Sequence, residues 1–200
     1  FQTVWLNDDE RDTYLQQVST LAQNHASKET GPVVFEGNAP ADIRDNHELA
    51  VALGIEPSGG PEETFAWLGA PNSIKGPTGA AFGAQSSSNL LIIGQNEEMA
   101  FSMIISSLIS LAAQQSSDRA EFIVLDAFPD HSAKREMMDQ VIAMLPHRVR
   151  SLKDERLEDI MERLETHMDQ RTEHGAVHGE IYFIVIGLQL FKKLRPEDEF

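Results

Sequence analysis

The sequence predicts an α/β domain on a mostly parallel sheet in three layers. Three short apolar runs carry this: Asn89 to Ile93, Glu121 to Ala127 and Glu180 to Gly187. Each is continuous rather than alternating, which marks strands buried on both faces. Stretches with helical apolar spacing separate the runs, and strands alternating with helices argue for parallel order. Right-handed crossovers would set Asn89–Ile93, Glu121–Leu125 and Ile181–Ile186 side by side, with a Met99–Gln114 helix packed on them.

Asp8 to Gln23 has helical spacing, with Tyr14, Val18 and Leu21 on one face and Asn7 or Asp8 as the cap. Val33 to Phe35 reads as a short strand that Gly37 and Asn38 end. Ala41 to Leu53 reads as a helix entered after Pro40 and stopped by Gly54. Glu56 to Glu63 contains Pro57, Gly59, Gly60 and Pro61 and reads as a linker. It divides the chain into an N-terminal accessory segment, 1–60, and a main domain, 61–200. Phe65 to Leu68 is a short strand, and Ala70 to Ser88 is mostly loop. In the central helix Met99, Met103, Ile104, Leu108, Leu111 and Ala112 form a broad apolar stripe, while Ser102, Ser106, Ser110 and Gln114 form a polar line at spacing four. Ala133 to Leu145 and Leu152 to Arg171 read as further helices, and Thr172 to Gly179 as a loop.

Composition limits the function. Apolar residues at 41% and charged residues at 24% suit a globular domain. No apolar run is long enough to span a membrane, and no signal-peptide pattern opens the chain. With Cys 0, disulfides, thiolate metal sites and cysteine nucleophiles are excluded. A cytoplasmic location is expected. The net charge of −16 disfavours nucleic acid and anionic lipid, and favours a basic partner.

Strand, Gly-led turn and buried helix at Ser88 to Gln115 form the frame of a phosphate-binding loop. Such a loop needs a second Gly, a Lys for the β/γ-phosphates and a hydroxyl for magnesium. Counting from Gly94, those places hold Met99, Ala100 and Phe101. The turn itself is Gln95, Asn96, Glu97 and Glu98, and its two carboxylates suit a helix N-terminus but repel a triphosphate. Gly94 to Phe101 is therefore read as a vestigial phosphate loop. Met99 and Phe101 are expected to fill the space that phosphates would take.

From Trp67 to Arg195 the chain resembles the FtsK/SpoIIIE/HerA group of RecA-like motor ATPases. Trp67-Leu68-Gly69 looks like the entry segment, and Phe122 to Asp126 resembles the second strand, which ends in Asp. Glu158 to Arg171, with Met168 and Arg171, is similar to the helix before the third strand. Tyr182 to Ile186 looks like the strand that carries the metal-binding Asp and the catalytic Glu. The resemblance implies a P-loop NTPase fold, ATP and magnesium as cofactors, and DNA translocation. Here Gly187 and Leu188 stand in place of the acidic pair, so neither magnesium nor water would be held. The resemblance also implies a fourth strand between Leu90–Ile93 and Tyr182–Ile186, which no segment clearly supplies; Val33–Phe35 is one filler. The sheet is thus expected to be incomplete and the chain to be part of a larger protein.

Other candidates have plainer readings. Asp126, at a strand end where α/β sheets bind ligands, is favoured as a cap or turn residue. His174 and His178 have metal spacing but flank glycines in a loop. Lys192, Lys193 and Arg195 suit local ion pairs. The resulting expectation is a non-catalytic module with no cofactor and no metal. Its partners would be other domains or subunits of an oligomeric DNA-translocating or secretion motor, without direct DNA binding and without a membrane. The alternative is an active ATP-dependent DNA translocase domain with an unusual nucleotide site. An unrelated α/β ligand-binding domain is the third reading.

Overall fold

The computed structural model describes residues 6–24, 43–57, 63–71, 76–83, 88–152, 157–174 and 179–194. The chain divides into two compact units, Phe1–Phe35 and Glu36–Phe200. In the first, helix α1 spans Asp8–Asn24. Asn7 is its cap: the Glu10 amide donates to Asn7 Oδ1 at 2.8 Å. Asp8, Asp9 and Glu10 follow in the first turn, where negative charge meets the positive helix end. Val33–Phe35 lies outside the described residues.

The second unit is α/β. Helix α2, His47–Leu53, starts later than the expected Ala41, after a 3₁₀ turn at Ile43–Asp45. The reason is Asn46, whose Oδ1 accepts from the Leu49 amide at 2.9 Å and so begins the helix there. Its Nδ2 donates to the Gly69 carbonyl at 2.8 Å, which ties α2 to the next segment. Strands β1, Glu63–Trp67, and β2, Gly79–Gly83, form an antiparallel pair. β2 replaces the loop expected between Ala70 and Ser88. Its sequence, GAAFG, has one large side chain and so no readable alternation.

The polar line of the central helix holds this hairpin. Helix α3 spans Glu97–Gln114. Ser106 Oγ donates to the Trp67 carbonyl at 2.7 Å. The Gln114 amide group bonds Phe65 twice, accepting from its N–H at 3.0 Å and donating to its C=O at 2.7 Å. Gln114 therefore satisfies one β1 residue as a neighbouring strand would. Ser102 takes no part and bonds back to the Glu98 carbonyl.

The main sheet has three parallel strands: β3, Ala120–Asp126, lies between β4, Arg148–Leu152, and β5, Glu180–Ile186. Phe122, Val124, Tyr182, Ile184 and Ile186 pack toward α3 and helix α4, Ala133–Met144. Leu125, Leu152, Phe183 and Val185 pack on the other face, with Leu157 of helix α5, Leu157–His174, and with Phe191. Helices thus cover both faces, which is why β3 reads as a continuous apolar run. Gly179 leads into β5 because the Glu180 amide reaches the Arg119 carbonyl at 2.7 Å, and a Cβ at Gly179 would lie 2.1 Å from that oxygen.

Asn89–Ile93 is a correction. Among the described residues it joins no strand pair, and Leu91 and Ile93 are 70% and 86% exposed. β3 pairs instead with β4 and β5 on its two edges. The place went instead to β4, within a stretch where no strand is expected because Arg148 and Arg150 hide its pattern. Helix α5 accordingly starts at Leu157 rather than Leu152, and it continues through His174 into the expected loop. Among the described residues, the outer edge of β5 pairs with no strand.

Candidate functional site

In a parallel sheet ligands gather at the carboxyl ends of the strands, so the site starts at Asp126, Leu152, Ile186 and the α3 N-terminus. Asn96 caps α3: its Oδ1 accepts from the Met99 amide at 3.0 Å, and its carbonyl accepts from the Ala100 amide at 3.0 Å. Glu97 Oε2 accepts from Lys134 Nζ of α4 at 2.9 Å. That hydrogen bond and the lysine charge hold the Glu97 carboxyl below its ordinary pKa. Gly94, Gln95, Glu98 and Met99 face solvent. A Cβ at Gly94 would meet no atom within 4 Å, so neither close packing nor a left-handed backbone calls for glycine there.

Phe101 and Met99 part ways. Phe101 is buried and meets the Phe128 ring edge-on, with centroids 5.3 Å apart. Met99 is 56% exposed and fills nothing, contrary to expectation. Asp126 is buried in a pair with Arg135: Nη1 donates to both carboxylate oxygens, at 2.6 and 2.5 Å, and the Phe128 amide donates to Oδ1 at 3.1 Å. Gly187, where the resemblance would put an acid, turns the chain with φ +77°, a conformation that suits glycine. Its carbonyl accepts from the Leu190 amide at 2.8 Å, and Leu188 is exposed.

The group is coherent. Lys134 and Arg135 enter through α4, which Ser132 caps, and pair with Glu97 at the start of α3 and Asp126 at the end of β3. No family model, curated protein or solved structure matches the chain. The chemistry is therefore read from the residues alone. Among the described residues no cluster of three or more His, Cys, Asp or Glu could hold a metal ion. His174 ends α5, while His178 and Arg195 lie outside the described residues. No described helix is long and apolar enough to cross a membrane.

A second polar group was not legible in the sequence. Gln115, just past α3, donates from Nε2 to Thr64 Oγ1 at 2.8 Å and to the Tyr182 hydroxyl at 3.2 Å. His147, just before β4, donates from Nε2 to the Gln115 carbonyl at 2.9 Å. The Phe122 ring stacks on Tyr182 at 5.2 Å and meets His147 edge-on at 5.4 Å. Burial pushes the Tyr182 hydroxyl pKa up, against the hydrogen bonds of Thr64 and Gln115. The four polar residues come from β1, the end of α3, the entry to β4 and β5. No local period links them.

Proposed function

We propose that the chain is a non-catalytic ATPase-type module, similar to the FtsK/SpoIIIE/HerA group, that works as a structural or interaction domain. One observation carries this reading. At the carboxyl end of the sheet the protein already occupies the groups a nucleotide would need. The Asn96 side chain holds the Met99 amide, Lys134 is spent on Glu97, and Asp126 is neutralised by Arg135. A magnesium triphosphate would have to displace a buried ion pair and would meet the exposed acid Glu98. Gly187 and Leu188 add no carboxylate to polarise water. The P-loop NTPase assignment, the larger motor and its other subunits as partners all follow from the sequence resemblance. The acidic surface supports a role without direct DNA contact.

The test is calorimetric titration with ATP and magnesium, alongside a phosphate-release assay. No saturable heat and no turnover are expected. A low-micromolar dissociation constant with turnover would overturn the reading in favour of an active translocase domain with an unusual site.

A further inference from the structure

Strand β4 is an edge of the main sheet: β3 lies on one side of it, and no described strand lies on the other. An edge leaves backbone N–H and C=O groups pointing outward, where water or a further strand satisfies them. The two faces of this edge differ. Leu152 packs on the α5 side. By alternation Arg150 and Arg148 share that face, with Arg148 beside Glu121 of β3 and Arg150 beside Ile123. Val149 points the other way and packs against the core that α3 and α4 cover.

The α5 face of the edge carries surplus positive charge. Glu121 takes a forked pair from Arg163 of α5, at 3.0 and 2.7 Å, and its Oε1 lies 2.7 Å from Arg150 Nε. Arg148 stands opposite the same carboxylate in the sheet register. Three guanidinium groups against one carboxylate leave an excess of two positive charges. Arg163 spends its fork on Glu121, whereas the Arg150 side chain is partly exposed. Arg148 is exposed and makes no side-chain hydrogen bond or ion pair among the described residues. The chain as a whole carries −16, but at this edge the sign is reversed. Such an edge repels a cationic strand and keeps copies of itself from pairing through it. It admits a strand of the opposite charge.

We infer that the outer edge of β4 takes an extended segment of a partner protein in which acidic and apolar residues alternate. Side chains two apart on a strand stand about 7 Å apart on one face, so a single register sets two carboxylates against Arg148 and Arg150. The apolar residues between them continue the face of Val149. The inference rests on the reading of the chain as an interaction module and gives that module's partner its chemistry. The probe is the capped peptide acetyl-Thr-Glu-Val-Glu-Val-Thr-amide, titrated into ¹⁵N-labelled protein by NMR. One control peptide has Gln for both Glu. A second, acetyl-Thr-Val-Glu-Glu-Val-Thr-amide, keeps the charge but sets the two carboxylates on opposite faces. Saturable shifts are expected at the β4 amides and at Nε of Arg148 and Arg150. Each cross-strand ion pair should count about threefold, so the Gln peptide binds about tenfold more weakly and the adjacent-Glu peptide about threefold.

Arg148→Gln should weaken the alternating peptide about threefold and leave the Gln peptide unchanged. Thermal melting checks the fold of this variant, and the comparison of three peptides on the native protein stays decisive if it unfolds. Absence of saturable shifts, equal binding of the three peptides, or an unchanged Arg148→Gln affinity would overturn the inference. Saturation of the Arg148 and Arg150 Nε signals by inorganic phosphate, with the β4 amides unmoved by any peptide, would replace it with a plain anion site. ATP turnover would sink the non-catalytic reading whatever the peptides do. Failure of the peptides alone sinks only the edge assignment.

Discussion

Asp126 keeps a charge where solvent does not reach. The pairing with Arg135 makes this tolerable, because a buried carboxylate needs both an opposite charge and filled lone pairs. Removing the cation alone strands the anion. Arg135→Met is therefore expected to destabilise the protein by about 3–5 kcal/mol, measured by urea denaturation. Adding Asp126→Asn should recover part of that loss, since the stranded charge is gone. No recovery would mean that Arg135 contributes by packing alone. The position of Asp126 at a strand end was legible, but its partner nine residues on was not, because the turn into α4 sets that contact. Met99 and Phe101 teach the converse. Residues two apart on a helix point about 200° away from each other, so the two could not both fill one space. That angular offset follows from sequence position alone, whatever the residue type.

At the scale of elements, period was a good guide to helices and to strands β3 and β5. α3, β3 and β5 lie close to where their apolar patterns put them. Pairing was not readable, because an apolar run does not name the strand it will lie beside; Asn89–Ile93 has the pattern of a strand and pairs with none among the described residues. The polar line on α3 was visible, but its use in binding β1 depends on a hairpin whose second strand has no pattern. Gln114→Ala should cost about 1–2 kcal/mol for two lost backbone bonds. It should also speed hydrogen exchange at the Phe65 amide relative to amides of β3. Unchanged exchange at Phe65 would show that the hairpin does not depend on this clamp. A second link joins three elements: Glu121 of β3 accepts from Arg163 of α5 at 2.7 and 3.0 Å and lies 2.7 Å from Arg150 of β4. Burial pushes the Glu121 carboxyl up, but the hydrogen bonds and charge of Arg163, with the charges of Arg150 and Arg148, hold it below its ordinary value. A depressed folded pKa gives stability that is present above the unfolded pKa and lost as pH falls through the folded one. Melting temperature should thus fall below about pH 4, and Glu121→Gln should flatten that acid limb. An identical acid limb in the variant would rule Glu121 out as its source.

Over the whole molecule, 32 acidic residues stand against 16 basic ones. The surplus repels other copies and screens with salt, over about 10 Å at 0.1 M and about 3 Å at 1 M. Leu91 and Ile93 lie open to water beneath that field, as an apolar surface no described strand covers. Such a surface gains by meeting another like it. Raising sodium chloride should therefore increase the apparent mass in static light scattering at constant protein concentration. Leu91→Asp with Ile93→Asp should suppress the increase, and equal scattering from both proteins would place the sticky surface elsewhere. The colloidal consequence of that charge is that the reach of the repulsion between copies of this chain is set by the medium as much as by the fold.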